Sequence, residues 1–259
     1  MITARCSTAG ALYFLACLLA APTHAASDTR GREFILAFPP NVGINQNLSL
    51  FIASEEDARG TVQIPGLDFV KPFSVTPEGV VEIPLPTAAQ DLRPRKNTSL
   101  AVNVVSDKEI TVHALNQKTN TTDGFTALPT DTLGMEYLAL SYTRLTNEQI
   151  VVVAAHDDTE VNIAGEVTVT LNRNDVYYHW DHRDLTGTRV EASAPVALLS
   201  GSFCTYIPHD VGACDHTVEM MPPVATWGTS FLTVPLATRL RGDLFRVLAA
   251  RDGTIVFLN

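Results

Sequence analysis

"LFIASEEDARGTVQI" (Leu50–Ile64), "VVVAAHDDTEVNI" (Val151–Ile163) and "FRVLAARDGTIVFL" (Phe245–Leu258) share one design. A run rich in Val, Ile, Leu or Phe stops at small residues. A turn with Asp, Gly or Thr follows, and a second run ends in Ile or Leu. Alternation near period two around such a turn is the pattern of a β-hairpin, because Asp and Gly accept the turn's backbone angles cheaply. A second element recurs beside it. "SLAVNVVSDKEITVHALN" (Ser99–Asn116) matches "GTRVEASAPVALLSGSF" (Gly187–Phe203). The first is followed by "ALPTDTLGMEYLALSY" and the second by "MPPVATWGTSFLTVPLA". The repeat is therefore about 100 residues long, with two halves of about 40–50 residues and about four short strands in each.

Short β-branched runs such as "KPFSVTP", "GVVEIPLP" and "EVTVTLN" fill the remaining sequence between Gly, Pro, Asn and Asp signals. The fold class expected is all-β, built from repeated antiparallel four-stranded units. Their blade-like spacing predicts a propeller-like array, with tandem β-sandwiches as the alternative. The third copy begins near Gly242 and carries one hairpin before Asn259. Repeat units lean on their neighbours and need a cap, so the domain is expected to be incomplete at its C-terminus.

The N-terminus fixes the compartment. Arg5 precedes an apolar run from Gly10 to Ala21, and Thr23-His24-Ala25 satisfies the small-residue rule before a cleaved bond. Residues 1–25 read as a signal peptide, leaving 26–259 as the exported domain. The apolar run is shorter than the ~20 residues that cross a bilayer, so no membrane insertion is expected. The formal charge is −10, from 28 acidic against 18 basic residues. No basic cluster stands out, which disfavours nucleic acid and anionic membranes as partners.

Signal cleavage removes Cys6 and Cys17 and leaves Cys204 and Cys214 of the four cysteines. They lie in "CTYIPHDVGACDH" (Cys204–His216), where three chemistries compete. Zinc would use Cys204, His209, Cys214 and His216, but this spacing matches no familiar finger, and thiolate zinc sites favour reducing compartments. A thiol nucleophile would use His209 or His216 as base. An isolated pair in an oxidising compartment is most simply a disulfide, and Cys204–Cys214 is read as one. No metal and no cofactor is expected.

Other polar groups invite the same weighing. His156-Asp157-Asp158 falls on the repeated hairpin turn, and His179 to Asp184 ("HWDHRD") on a polar connection; both read as structural before catalytic or calcium-binding. Arg241-Gly242-Asp243 spells an adhesion tripeptide but sits where the third copy enters its first strand. Met220-Met221-Pro222-Pro223 and Trp227 read as packing before partner binding. Asn47, Asn97 and Asn120 head glycosylation sequons that matter only in a eukaryotic host. No G-x-S-x-G, H-E-x-x-H or phosphate loop is present. No catalytic residue is assigned, and the ligand-binding residues are unknown at this level.

Four segments carry a family resemblance: "GREFILAFPPN", "DKEITVHALNQKTNTTDGFTALPTDTLGMEYLALSY", "DLTGTRVEASAPVALLSG" and "CDHTVEMMPPVATWGTSFLTVPLA". In order and spacing they resemble the IgGFc-binding protein N-terminal domain family, from about Gly31 to Asn259. The resemblance implies a secreted, non-enzymatic protein-recognition or adhesion module. Its partner would be an extracellular protein or glycoprotein, such as immunoglobulin Fc or a mucin-like chain. The competing reading is a secreted β-propeller hydrolase acting on glycans.

Overall fold

The computed structural model describes residues 28–43, 46–142, 146–208, 212–238 and 242–258. The expected signal peptide, His209 and Arg241 lie outside them. The described residues contain strands and short 3-10 turns, and no helix long and apolar enough to cross a membrane.

Two consecutive units repeat one topology. The first holds β1 (Gly31–Leu36), β2 (Asn47–Ala53), β3 (Ala58–Ile64), β4 (Phe69–Val75), β5 (Val80–Leu85), β7 (Val102–Lys118) and β8 (Thr121–Thr126), while β6 (Asn97–Thr98), which precedes β7 in the chain, joins the second sheet. The second holds β9 (Gly134–Leu138), β10 (Glu148–Ala154), β11 (Thr159–Ile163), β12 (Val167–Leu171), β13 (Val176–Asp181), β14 (Arg189–Thr205) and β15 (Asp215–Met220). The sheet order is β4-β3-β7-β2-β5 in one and β12-β11-β14-β10-β13-β6 in the other. β1 and β8 also pair with β7, as β9 and β15 do with β14. Each sheet curls so that its ends approach, giving two nearly closed barrels.

The long strands explain where the expected architecture differs. The sequence divides Ser99–Asn116 and Gly187–Phe203 into two strands each, at Asp107-Lys108 and Ala194-Pro195. The structure instead runs one 17-residue strand through each break, β7 from Val102 and β14 from Arg189. Its register against the unit's first strand shifts between Val105 and Ile110 in β7, and between Glu191 and Val196 in β14. A bulge absorbs residues that otherwise signal a turn, and it is one of the few strand positions that tolerate proline. The first half of β7 then pairs with β1 and β3, and its second half with β2 and β8. One strand thus ties both halves together. The four-stranded half-units and the propeller array are not confirmed by this pairing. Two units do follow one another as in the tandem alternative, but each is a single curled sheet.

β10 joins the units. All seven of its residues are buried. Ile150, Val152 and Ala154 face the second unit's own core, whereas Val151 and Val153 enter the core of the first. β14 does the same with Val196 and Leu198 against Ala197 and Leu199. A strand covered on both faces loses the alternation of a half-buried strand, which is why "IVVVAA" is apolar throughout. Polar bonds secure the seam. Gln149 Nε2 donates to Pro40 O at 3.0 Å, the Arg95 N–H donates to Tyr178 O at 2.7 Å, and Arg173 pairs with Glu33.

Gly201 on β14 shows how close the strands lie. A Cβ there would sit 1.9 Å from Thr217 O and 3.0 Å from Val218 Cα, both backbone. Gly201→Ala is expected to cost about 1–3 kcal/mol, enough to lower Tm by ~5 °C in a domain of this size. Gly212→Ala, where a Cβ meets nothing within 4 Å, should leave Tm unchanged. Calorimetry of the two variants checks this pair.

Candidate functional site

Cys204, near the end of β14, and Cys214, just before β15, are bonded to each other with Cα atoms 5.4 Å apart. They close a ten-residue separation next to the β14–β15 pairing. His216 does not join them. It is buried; its Nδ1 donates to Ser202 O at 3.0 Å, which leaves the lone pair on Nε2, and Nε2 has no partner among the described residues. Burial holds the ring well below its ordinary value, at about 4. No group of three or more His, Cys, Asp or Glu side chains is placed to hold a metal among the described residues. Thiol titration of the denatured, unreduced protein should find no free thiol in the exported form. Reduction is expected to cost about 3 kcal/mol of stability in the chain-entropy picture.

Carboxylates gather where β8 and β15 run side by side. Asp123 accepts the Val218 N–H at 2.8 Å and Asp215 accepts the Thr122 N–H at 3.1 Å, so each unit's carboxylate caps the other's strand edge. Desolvation pushes the Glu219 carboxyl up to about 7, with the Asp123 charge adding to it. Glu219 nonetheless keeps solvent contact, and water screens part of the effect. These groups replace a backbone ladder between two edges and need no substrate to explain them.

"HWDHRD" ends β13 and enters the following turn. Asp181 and Arg183 form an ion pair at 2.9 Å, and hydrogen bonding from Arg183 holds the Asp181 carboxyl down at about 2. His182 is exposed, its ring edge-on to Trp180 at 5.1 Å. Asp184 accepts the Thr186 N–H at 2.9 Å. His179 lines a cavity of about 120 Å³ with Ile163, Glu166, Arg183, Asp184 and Leu185. Its Nδ1 is buried without a partner among the described residues, and burial lowers its pKa, with the Arg95 charge contributing. This volume suits water and lies well below the ~300–1,000 Å³ of small-molecule sites.

The remaining groups from the sequence are spread apart. Asp157 accepts the Arg173 N–H at 3.0 Å, and Asp158 takes a left-handed φ of 51° in the turn between β10 and β11, two strands that do not pair with each other. Gly242 has φ 80°, and Asp243 accepts the Leu236 N–H at 2.8 Å. Met220 and Met221 are buried, and Trp227 Nε1 donates to Pro222 O at 3.1 Å. Asn47, Asn97 and Asn120 are all exposed. Sequence reading did not single out Arg246. It forms an ion pair with Asp184 at 3.6 Å, donates to Ser141 O, and lies 5.3 Å from the Tyr142 ring.

These features define an all-β tandem-repeat protein whose singled-out polar groups serve mostly turns, edges and the seam between units. A sequence profile described as "IgGFc binding protein" matches residues 123–259, from β8 through the second unit. The chain is also 31% identical over 253 residues to human IgGFc-binding protein, across 89% of this chain and 5% of that protein. The chain belongs to the IgGFc-binding protein family. It spans only about 5% of the length of that human relative. No solved structure matches it significantly.

Proposed function

We propose that this protein is a secreted recognition module that binds an extracellular protein or glycoprotein through its surface and performs no catalysis. The observation that carries the reading is family membership across the described fold. The chemistry of the singled-out residues supports it: Asp123, Asp157, Asp181, Asp184 and His216 each make a bond that holds the fold. The human relative's name makes immunoglobulin Fc the first ligand to test, and a mucin-like glycoprotein the second. No observation favours the glycan-hydrolase alternative.

Biosensor titration of the exported protein against immobilised IgG Fc, Fab and a mucin tests the proposal. Saturable binding to Fc or mucin, with Fab silent, is the expected result. Binding to none of them, or turnover of a chromogenic glycoside that is lost in Glu219→Gln, would overturn it. His182→Ala is expected to leave binding within about twofold, since a lone exposed ring is rarely an anchor.

A further inference from the structure

The chain carries 28 acidic against 18 basic residues, yet three of its cations fall within Arg93-Pro94-Arg95-Lys96, a run too short to stand out in the sequence alone. It lies in the connection from β5 to β7, and all four residues are exposed. Among the described residues none of the three cationic side chains has an ion-pair or hydrogen-bond partner. The matching connection of the second unit, 182–188, holds Arg183 and no lysine. Arg183 is answered by Asp181 at 2.9 Å and Glu166 at 3.4 Å.

The backbone that carries the run is fixed without help from these charges. Leu92 and Leu100 are buried at its two ends. Between them the Arg95 N–H donates to Tyr178 O at 2.7 Å and the Lys96 N–H to Arg93 O at 3.2 Å. β6 then pairs Asn97 with Tyr177 and Thr98 with Val176, and Asn97 Nδ2 donates to Thr170 O at 3.3 Å. The arm therefore lies along β13 and reaches β12. Arg95 takes a left-handed φ of 56°, a conformation that glycine or asparagine adopts more cheaply. Strain of this kind points to a use for the side chain beyond the turn. The charges of Arg95, Asp181, Glu166 and Arg183 all reach His179 on β13. Arg183 answers both acids, and Arg95 is left over.

Three like charges within about 10 Å of chain repel one another unless anions lie between them. Fixed placement lowers the entropy cost of holding such anions. A guanidinium fork meets two oxygens of a sulfate at once, and an ammonium adds a point charge. One carboxylate would answer one cation, whereas a chain bearing several sulfates answers all three. A flat anionic membrane fits less well, because it would bring the acidic remainder of this protein against a like charge. We propose that the Arg93–Lys96 arm is a binding site for a sulfated glycan chain, gripped by Arg93, Arg95 and Lys96. This site is separate from recognition of Fc, and either can fail alone.

The test titrates the exported protein with a size-defined heparin oligosaccharide and its desulfated counterpart. Saturable binding to the sulfated chain alone is the expected result, weakening as salt rises and screening shortens. Arg93→Gln/Arg95→Gln/Lys96→Gln should weaken it about tenfold or more, with Tm unchanged because the arm's backbone bonds remain. Arg93→Glu alone, outside the β6 pairing, should weaken it about threefold or more. Arg59→Gln/Lys71→Gln/Arg251→Gln removes the same charge from exposed positions elsewhere and should bind within about twofold of the parent. Three results would overturn the proposal: no binding of the sulfated chain, an equal loss in the control triple, or equally tight binding of single-stranded DNA or phosphatidylserine vesicles.

Discussion

Val151→Asp and Val152→Asp are each expected to abolish cooperative folding of both units, although their side chains point in opposite directions. Both valines are fully buried, one against the first unit's core and the other in the second unit's own. Carrying an unpaired carboxylate into either place costs several kcal/mol, of the order of the whole ~5–15 kcal/mol stability of a domain. Because β10 lies between β13 and β14 and is buried on both faces, damage on either side reaches both cores. Thr168→Asp on the exposed hairpin strand β12 is the control and should fold normally. Loss of the unfolding transition in circular dichroism for both valine variants, with the control intact, is the expected pattern. If Val151→Asp left the second unit melting on its own, the seam would not be the shared core described above.

Acid should weaken the protein through His216. The ring's folded value is lowered to about 4 from an ordinary 6.5, so between those values the unfolded chain binds more protons than the folded one. Stability is therefore present above pH 6.5, falls as the pH drops through 6.5 towards 4, and levels off below. The gap corresponds to about 3 kcal/mol for a group this deeply buried. Its cause is physical: protonation would place an N–H on Nε2, which has no acceptor among the described residues. Glu219 acts oppositely. Its value is raised from 4.5 to about 7, so its contribution is full below pH 4.5 and is lost as the pH rises through 7. Solvent contact makes that effect the smaller one. Urea unfolding at pH 7 and pH 4.5 should show the loss in the parent chain. His216→Gln keeps a donor for Ser202 O but cannot titrate, and it should flatten the acid limb.

Most of the fold's raw material is legible locally. The two strands and the turn within Leu50–Ile64 and within Val151–Ile163 are visible because period-two alternation and Asp, Gly or Thr turns are properties of neighbouring residues. The expected hairpins are not formed, since β2 and β3 both pair with β7, and β10 and β11 both with β14, rather than with each other. The repeat was legible for the same reason, and its third appearance at Phe245–Leu258 shows how far such information reaches: the Arg251–Thr254 turn forms, since it needs only its own backbone and one hydroxyl. The candidate sites were legible as residue types only. That Asp157 caps a turn, or that His216 is buried beside the Cys204–Cys214 bond, depends on what packs against each.

The sequence by itself determined the all-β class, the turns and the repeat, because these follow from backbone preferences and side-chain alternation over a few residues. It did not fix the strands, since the hairpin expected at Phe245–Leu258 forms its turn and no strand. Tertiary structure alone decided that Asp107-Lys108 and Ala194-Pro195 are bulges within β7 and β14 rather than turns between strands. A bulge and a turn use the same residues, and only the partners on either side distinguish them. The same non-local pairing decides burial: Tyr137 is enclosed beside Val190 of β14, its partner in the sheet though far along the chain.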